Sequence, residues 1–135
     1  MKIPFQSDDL GKFVLRLTLG SLMLFHGISK LTNPVQTLNS VASRLAALDL
    51  PAYVAYGVFV GEAIAPVLII LGIYSRIGGL LVVINMIFAV VLVHTAQLLT
   101  LSKSGGWALE LQGFYLLTGL ALFFLGSGKI AVKRD

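Results

Sequence analysis

The chain has 135 residues, of which 57% are hydrophobic and only 12% charged, with a net charge of +4 and no cysteine. A soluble domain carries about 25% charged residues, so this composition excludes an ordinary soluble fold and points to an integral membrane protein that lies in a lipid bilayer. The missing cysteine excludes a disulfide, a thiolate metal site or a redox-active thiol within the chain. The basic residues are scattered at the ends of apolar runs, a topology signal and not a nucleic-acid one.

At about 20 apolar residues per crossing, this length allows about four spanning helices with short connections in one domain. The expected fold is all-α: a four-transmembrane-helix bundle over residues 1–135, with spans at about 13–31, 52–74, 76–99 and 107–125. A short interfacial amphipathic helix at about 34–48 is expected between the first and second spans.

Residues 1–12 (MKIPFQSDDLGK) are polar and lack the n-region, h-region and cleavage site of a signal peptide. Asp8 or Asp9 is expected to cap the first helix. In that helix Arg16, Met23 and Lys30 recur at sevens, with Gly20 and Gly27 beside them. On a 3.6-residue helix this makes one small, cationic stripe. Either cation alone would be read as snorkelling to the headgroups; their alignment on a glycine-lined face points inward.

Asn33-Pro34 reads as a cap followed by proline at the first helical position. Val35, Leu38, Leu45 and Leu48 then follow helical spacing among polar residues, as in a helix lying on the membrane surface or holding a partner. Pro51 opens the second span, PAYVAYGVFVGEAIAPVLIILGIYS, which is apolar except for Glu62. From Pro51 to Glu62 is roughly 16 Å of helix, so Glu62 is expected near the bilayer midplane. A carboxylate there costs at least a few kcal/mol unless paired, protonated or wetted. Gly57 and Gly61 form a GxxxG that admits close approach of another helix. Pro66 cannot bond the carbonyl of residue 62, four positions back. Glu62 is expected to line a polar pocket between the first and second spans, approached through the Gly57/Gly61 face, with Arg16, His26 or Lys30 as its cationic partner; the plain alternative is a glutamate that only glues two helices together.

The third span holds Asn85, His94 and Gln97; Asn85 and His94 are half a turn out of phase, so they do not face one site. Thr100 to Gly106 is a polar turn. Trp107 anchors the last span at the interface. Glu110 follows in its first turns, where the helix dipole alone would favour a carboxylate. Lys2, Lys12, Arg76, Lys129, Lys133 and Arg134 share the side of both termini, against Lys30, Arg44 and Lys103 on the other. The bias places both termini in the cytoplasm.

Topology sorts the polar groups by depth. Lys30 and Glu110 fall at the outer end, where an ion pair between them is expected. His26 and His94 lie a little deeper, Glu62 near the middle, and Arg16 near the cytoplasmic end. Such a set can pair charges, relay protons or hold an anionic or quinone-like headgroup. There is no HxxxH or ExxH, so no metal is expected, and no phosphate loop, Ser/His/Asp set or dinucleotide fingerprint occurs.

Taken together, RLTLGSLMLFHGISKL, Leu50-Pro51, GEAIAPVLIILGIYSR, GGWALELQGFYLL and the glycines Gly126 and Gly128 resemble the DoxX family of small four-helix bacterial inner-membrane proteins. The resemblance covers nearly the whole chain. Related chains often end in GPG followed by Ser-Leu-Asp; here Ser127 replaces the proline and KIAVKR follows. The resemblance implies a multi-pass inner-membrane location and a membrane subunit that handles a quinone or small solute beside a redox or stress-response partner. The other readings are a small solute transporter or exporter, and a non-catalytic scaffold or assembly factor, alone or as a homo-oligomer.

Overall fold

The computed structural model describes residues 7–135, and Lys2 of the expected basic side lies outside them. Five helices follow in order: α1 Asp8–Leu31, α2 Pro34–Ala46, α3 Ala52–Leu71, α4 Ser75–Val93 and α5 Glu110–Leu125. The described residues contain no β-strand; two isolated bridges join Ile73 to Lys133 and Leu101 to Trp107. α1 packs on α3, α3 on α4, α4 on α5 and α5 back on α1, while α2 lies across the start of α3 and touches α4.

The first helix is capped by Ser7, not by Asp8 or Asp9. Ser7 has the extended backbone an N-cap needs, and its hydroxyl accepts the Leu10 N–H at 3.2 Å. The two aspartates sit in the first turn, where the dipole favours them. Asp9 instead accepts the Lys129 N–H at 2.9 Å.

The third expected span, α4, ends at Val93, short of the expected 99. The Thr95 hydroxyl donates to the carbonyl of Val91 at 2.8 Å, a local bond that competes with helix continuation. The Trp107 indole N–H then donates to the Leu98 carbonyl at 2.8 Å. This ties Trp107 into the loop between α4 and α5, so α5 begins at Glu110 and not at 107.

The core joins Leu19 and Met23 of α1, Ala65 and Ile69 of α3, Val82 and Met86 of α4, and Tyr115 and Leu122 of α5. Outward-facing positions are also apolar: Phe25, Ile77, Ile87, Phe114 and Phe124 are all exposed. A fold that is apolar both inside and outside suits lipid as its solvent. Two helices, Ala52–Leu71 and Ser75–Val93, are long and apolar enough to cross a membrane.

The end of the molecule that carries the start of α1 is closed by the tail after Gly126. Arg16 is 1% exposed. Its Nε donates to the Ile69 carbonyl at 3.0 Å and its Nη2 to that of Ile70 at 3.0 Å. Its Nη1 donates to the carbonyls of Ser127, at 3.0 Å, and of Ile130. One guanidinium thus satisfies carbonyls left over at the C-terminus of α3 and ties them to the tail. The backbone N–H groups of Val132 and Lys133 donate to Leu71 and Gly72, at 2.9 and 3.1 Å. Asp135, for which the sequence suggested no role, accepts the N–H groups of Ser127 and Arg76, at 3.1 and 2.9 Å.

Candidate functional site: a buried Lys30–Glu62–Asn85 set beside an apolar cavity

α3 is not a uniform helix. It opens with a 3-10 turn at Ala52–Tyr56, and its middle, Val60–Ile64, is a π turn. Pro66 lies just beyond that turn and brings no N–H to it. Such π turns recur at functional sites, because they push one residue out of the regular ladder. Glu62 sits within this one and is 4% exposed. Its backbone meets α1 at Gly27: a Cβ on Gly27 would overlap the Glu62 carbonyl oxygen. Gly27 therefore lets α1 close onto the π turn and brings Lys30, one turn further on, over the Glu62 carboxyl.

Lys30 Nζ donates to Glu62 Oε2, the one ion pair among the described residues. From the other side, Asn85 Nδ2 donates to Glu62 Oε1 at 3.1 Å. Both carboxylate oxygens are thus held, one by a charge and one by an amide. This is how a buried carboxylate becomes tolerable in a low-dielectric setting.

A cavity of about 290 Å³ lies against this set. Val41 and Leu45 of α2 cover it, and Gly57 and Gly61 of α3 face Asn85 and Phe88 of α4 across it. Ile84 and Phe88 line it and are themselves exposed, so it communicates with the outer surface of α4. The two glycines of the GxxxG play different parts. A Cβ on Gly61 would strike the Asn85 side chain, whereas one on Gly57 would meet nothing within 4 Å. Gly61 admits close approach, and Gly57 leaves space.

The remaining sequence candidates lie elsewhere. Arg16 belongs to the tail clamp, about 21 Å along α1 from Lys30 at 1.5 Å per residue. The sevenfold stripe correctly aligns the two cations but sets them about four turns apart, at opposite ends of the helix. Gly20 and Pro66 meet at the α1–α3 contact, where a Cβ on Gly20 would lie 3.0 Å from the Pro66 carbonyl. His26 is exposed and stacks edge-on against Tyr115, with ring centroids 5.9 Å apart. His94 closes α4 and pairs through Nδ1 with Gln97 at 2.7 Å. Glu110 is exposed at the start of α5. The expected Lys30–Glu110 pair does not form, because the π turn carries Glu62 into reach of Lys30 first. Among the described residues no three His, Asp or Glu side chains cluster as metal ligands would.

Asn85 is the site residue that the candidate set lacked. Its signal is a lone amide in the otherwise apolar middle of α4, where burial demands a partner. The pairing of Lys30 with Glu62 has a direct test. Each single reversal, Lys30→Glu or Glu62→Lys, should lower stability in detergent by about 1–3 kcal/mol, a partly exposed pair costing less than a fully buried one. The double reversal should recover part of that loss. Reversing Lys30 and Glu110 together should recover none.

A family model described as DoxX matches residues 11–95. A protein of Bacillus subtilis (strain 168) that carries the name "Putative oxidoreductase CatD" is 30% identical over 127 residues, spanning 94% of this chain and 87% of that protein. No solved structure matches the chain.

Proposed function

The chain belongs to the DoxX family, and from that premise we propose that it is a four-span bacterial inner-membrane protein that binds the polar ring of a quinone, or a small solute of like chemistry, beside a redox partner protein. The observation that carries this reading is the apolar cavity with one polar wall, in which Lys30 and Asn85 both donate to Glu62. Small-ligand sites have this form: about 300 Å³ or more, mostly apolar, with a few convergent polar groups. The wall offers N–H donors to a ring carbonyl, while the apolar remainder suits the ring body and the start of a lipid-soluble tail. Exposure of Ile84 and Phe88 supports access from the bilayer side. The oxidoreductase name of the Bacillus subtilis relative supports a redox setting.

The cavity itself supplies the test. Gly57 is helical and faces open space, so Gly57→Phe should fold normally and fill the cavity. Titrated with decylubiquinone in mild detergent, wild-type protein should bind saturably and Gly57→Phe should lose binding at least about tenfold. Equal binding by both would remove the cavity from the reading.

The membrane arrangement rests on the basic residues gathered at the terminal end. The absence of native cysteine makes labelling clean. A cysteine at Ser102 should label from outside the cell, and one at Ser127 only after permeabilisation. The reverse pattern would invert the orientation.

A further inference from the structure

Hydrogen-bonding capacity left over at the cavity narrows the ligand, on the premise that the cavity binds one at all. Among the described residues, Lys30 and Glu62 are the only charged side chains lining it, and they are paired with each other, so the wall has no net charge. The Lys30 ammonium has three N–H groups, one of which serves Glu62; Asn85 uses one amide N–H for Glu62. Lys30 and Asn85 therefore have N–H groups to spare. No protein donor among the described residues reaches Asn85 Oδ1, which lies over Gly61 at the cavity wall.

We infer that the site takes a ring ligand of zero net charge and accepts it in both its carbonyl and its hydroxyl form. A carbonyl oxygen takes an N–H from Lys30 or Asn85. A hydroxyl takes the same N–H and donates to Asn85 Oδ1, because a carboxamide is donor and acceptor at once. Both forms are neutral, so neither disturbs the Lys30–Glu62 pair. An anionic ligand of the same size is rejected. At a spare Lys30 N–H it would stand beside the Glu62 carboxylate, which is 4% exposed, and leave two negative charges to share one ammonium.

The experiment compares three probes on purified protein near neutral pH: decylubiquinone, its quinol, and the anion para-decylbenzoate. Wild-type protein should bind the quinone and quinol within a few-fold of each other, and both at least about tenfold tighter than the benzoate. Glu62→Gln frees the Lys30 charge and should shift the quinone-to-benzoate ratio by about tenfold or more towards the benzoate. Benzoate binding as tightly as quinone to wild-type protein overturns the inference while leaving a ligand site in place. So does a ratio unmoved by Glu62→Gln in folded protein. If the variant does not fold, the wild-type comparison alone decides. Failure of all three probes to bind wild-type protein overturns the functional reading itself, and the inference with it.

Discussion

Replacing Arg16 with leucine should destabilise the protein strongly. The volume is nearly kept, but four backbone carbonyls, those of Ile69, Ile70, Ser127 and Ile130, lose their shared donor. A buried acceptor left unpaired costs ~1–3 kcal/mol; with part of that recovered by relaxation, the total loss should be on the order of 3–5 kcal/mol. Arg16→Lys keeps the charge but not the planar fork, so it should restore only part of the loss. Thermal unfolding in detergent measures both. The tail should also loosen selectively: protease cleavage after Lys129 or Lys133 should speed up in Arg16→Leu before the bundle unfolds. A variant as stable as wild type would mean that the tail and α3 hold together without the clamp.

A comparable effect, for the opposite reason, is expected at Gly27. Gly27→Val forces atoms into space held by the Glu62 carbonyl, which is backbone and cannot swing aside. Overpacking of this kind costs typically ~1–3 kcal/mol and sometimes more. Here α1 must also back away from the π turn, so Lys30 should lose its grip on Glu62. Gly11→Ala is the control: a Cβ there meets nothing within 4 Å. It should be neutral or stabilising by up to ~1 kcal/mol, as an alanine in a helix is. Melting temperatures of the two variants should therefore move in different directions. If Gly27→Val melts with wild type, α1 and α3 are not in contact at this point.

These effects also show what the sequence could and could not disclose. The helices were legible because membrane solvent leaves long apolar runs with few charges. Glu62 was legible because a lone carboxylate in such a run is expensive. Gly27 was legible as a small residue on the cationic stripe, though not that it meets the very carbonyl of Glu62. The π turn was not legible. It depends on how α3 settles around Pro66 and against α1, a tertiary matter, and it decides which acid Lys30 meets. Depth favoured Glu110 for Lys30 and left Glu62 open to Arg16, His26 or Lys30; the π turn brings Glu62, not Glu110, to Lys30. Arg16 was placed at the right end, but its partners were not legible. Its stripe position is right, but its partners are backbone carbonyls at helix ends and in the tail, which carry no residue-specific signal. Asn85 was visible as a polar residue yet passed over, since its partner could be named only once α3 and α4 were seen side by side.

The central claim is that the cavity between α3 and α4, walled by Lys30, Glu62 and Asn85, is where a quinone-like ring binds. The most direct measurement is photolabelling of the purified protein with an azido-quinone, followed by peptide mapping of the adducts. The account predicts adducts on Gly57–Glu62 of α3 and Ile84–Phe88 of α4, suppressed by excess decylubiquinone and absent in Gly57→Phe. Adducts confined to Trp107–Phe114, or labelling that excess quinone does not suppress, would contradict it.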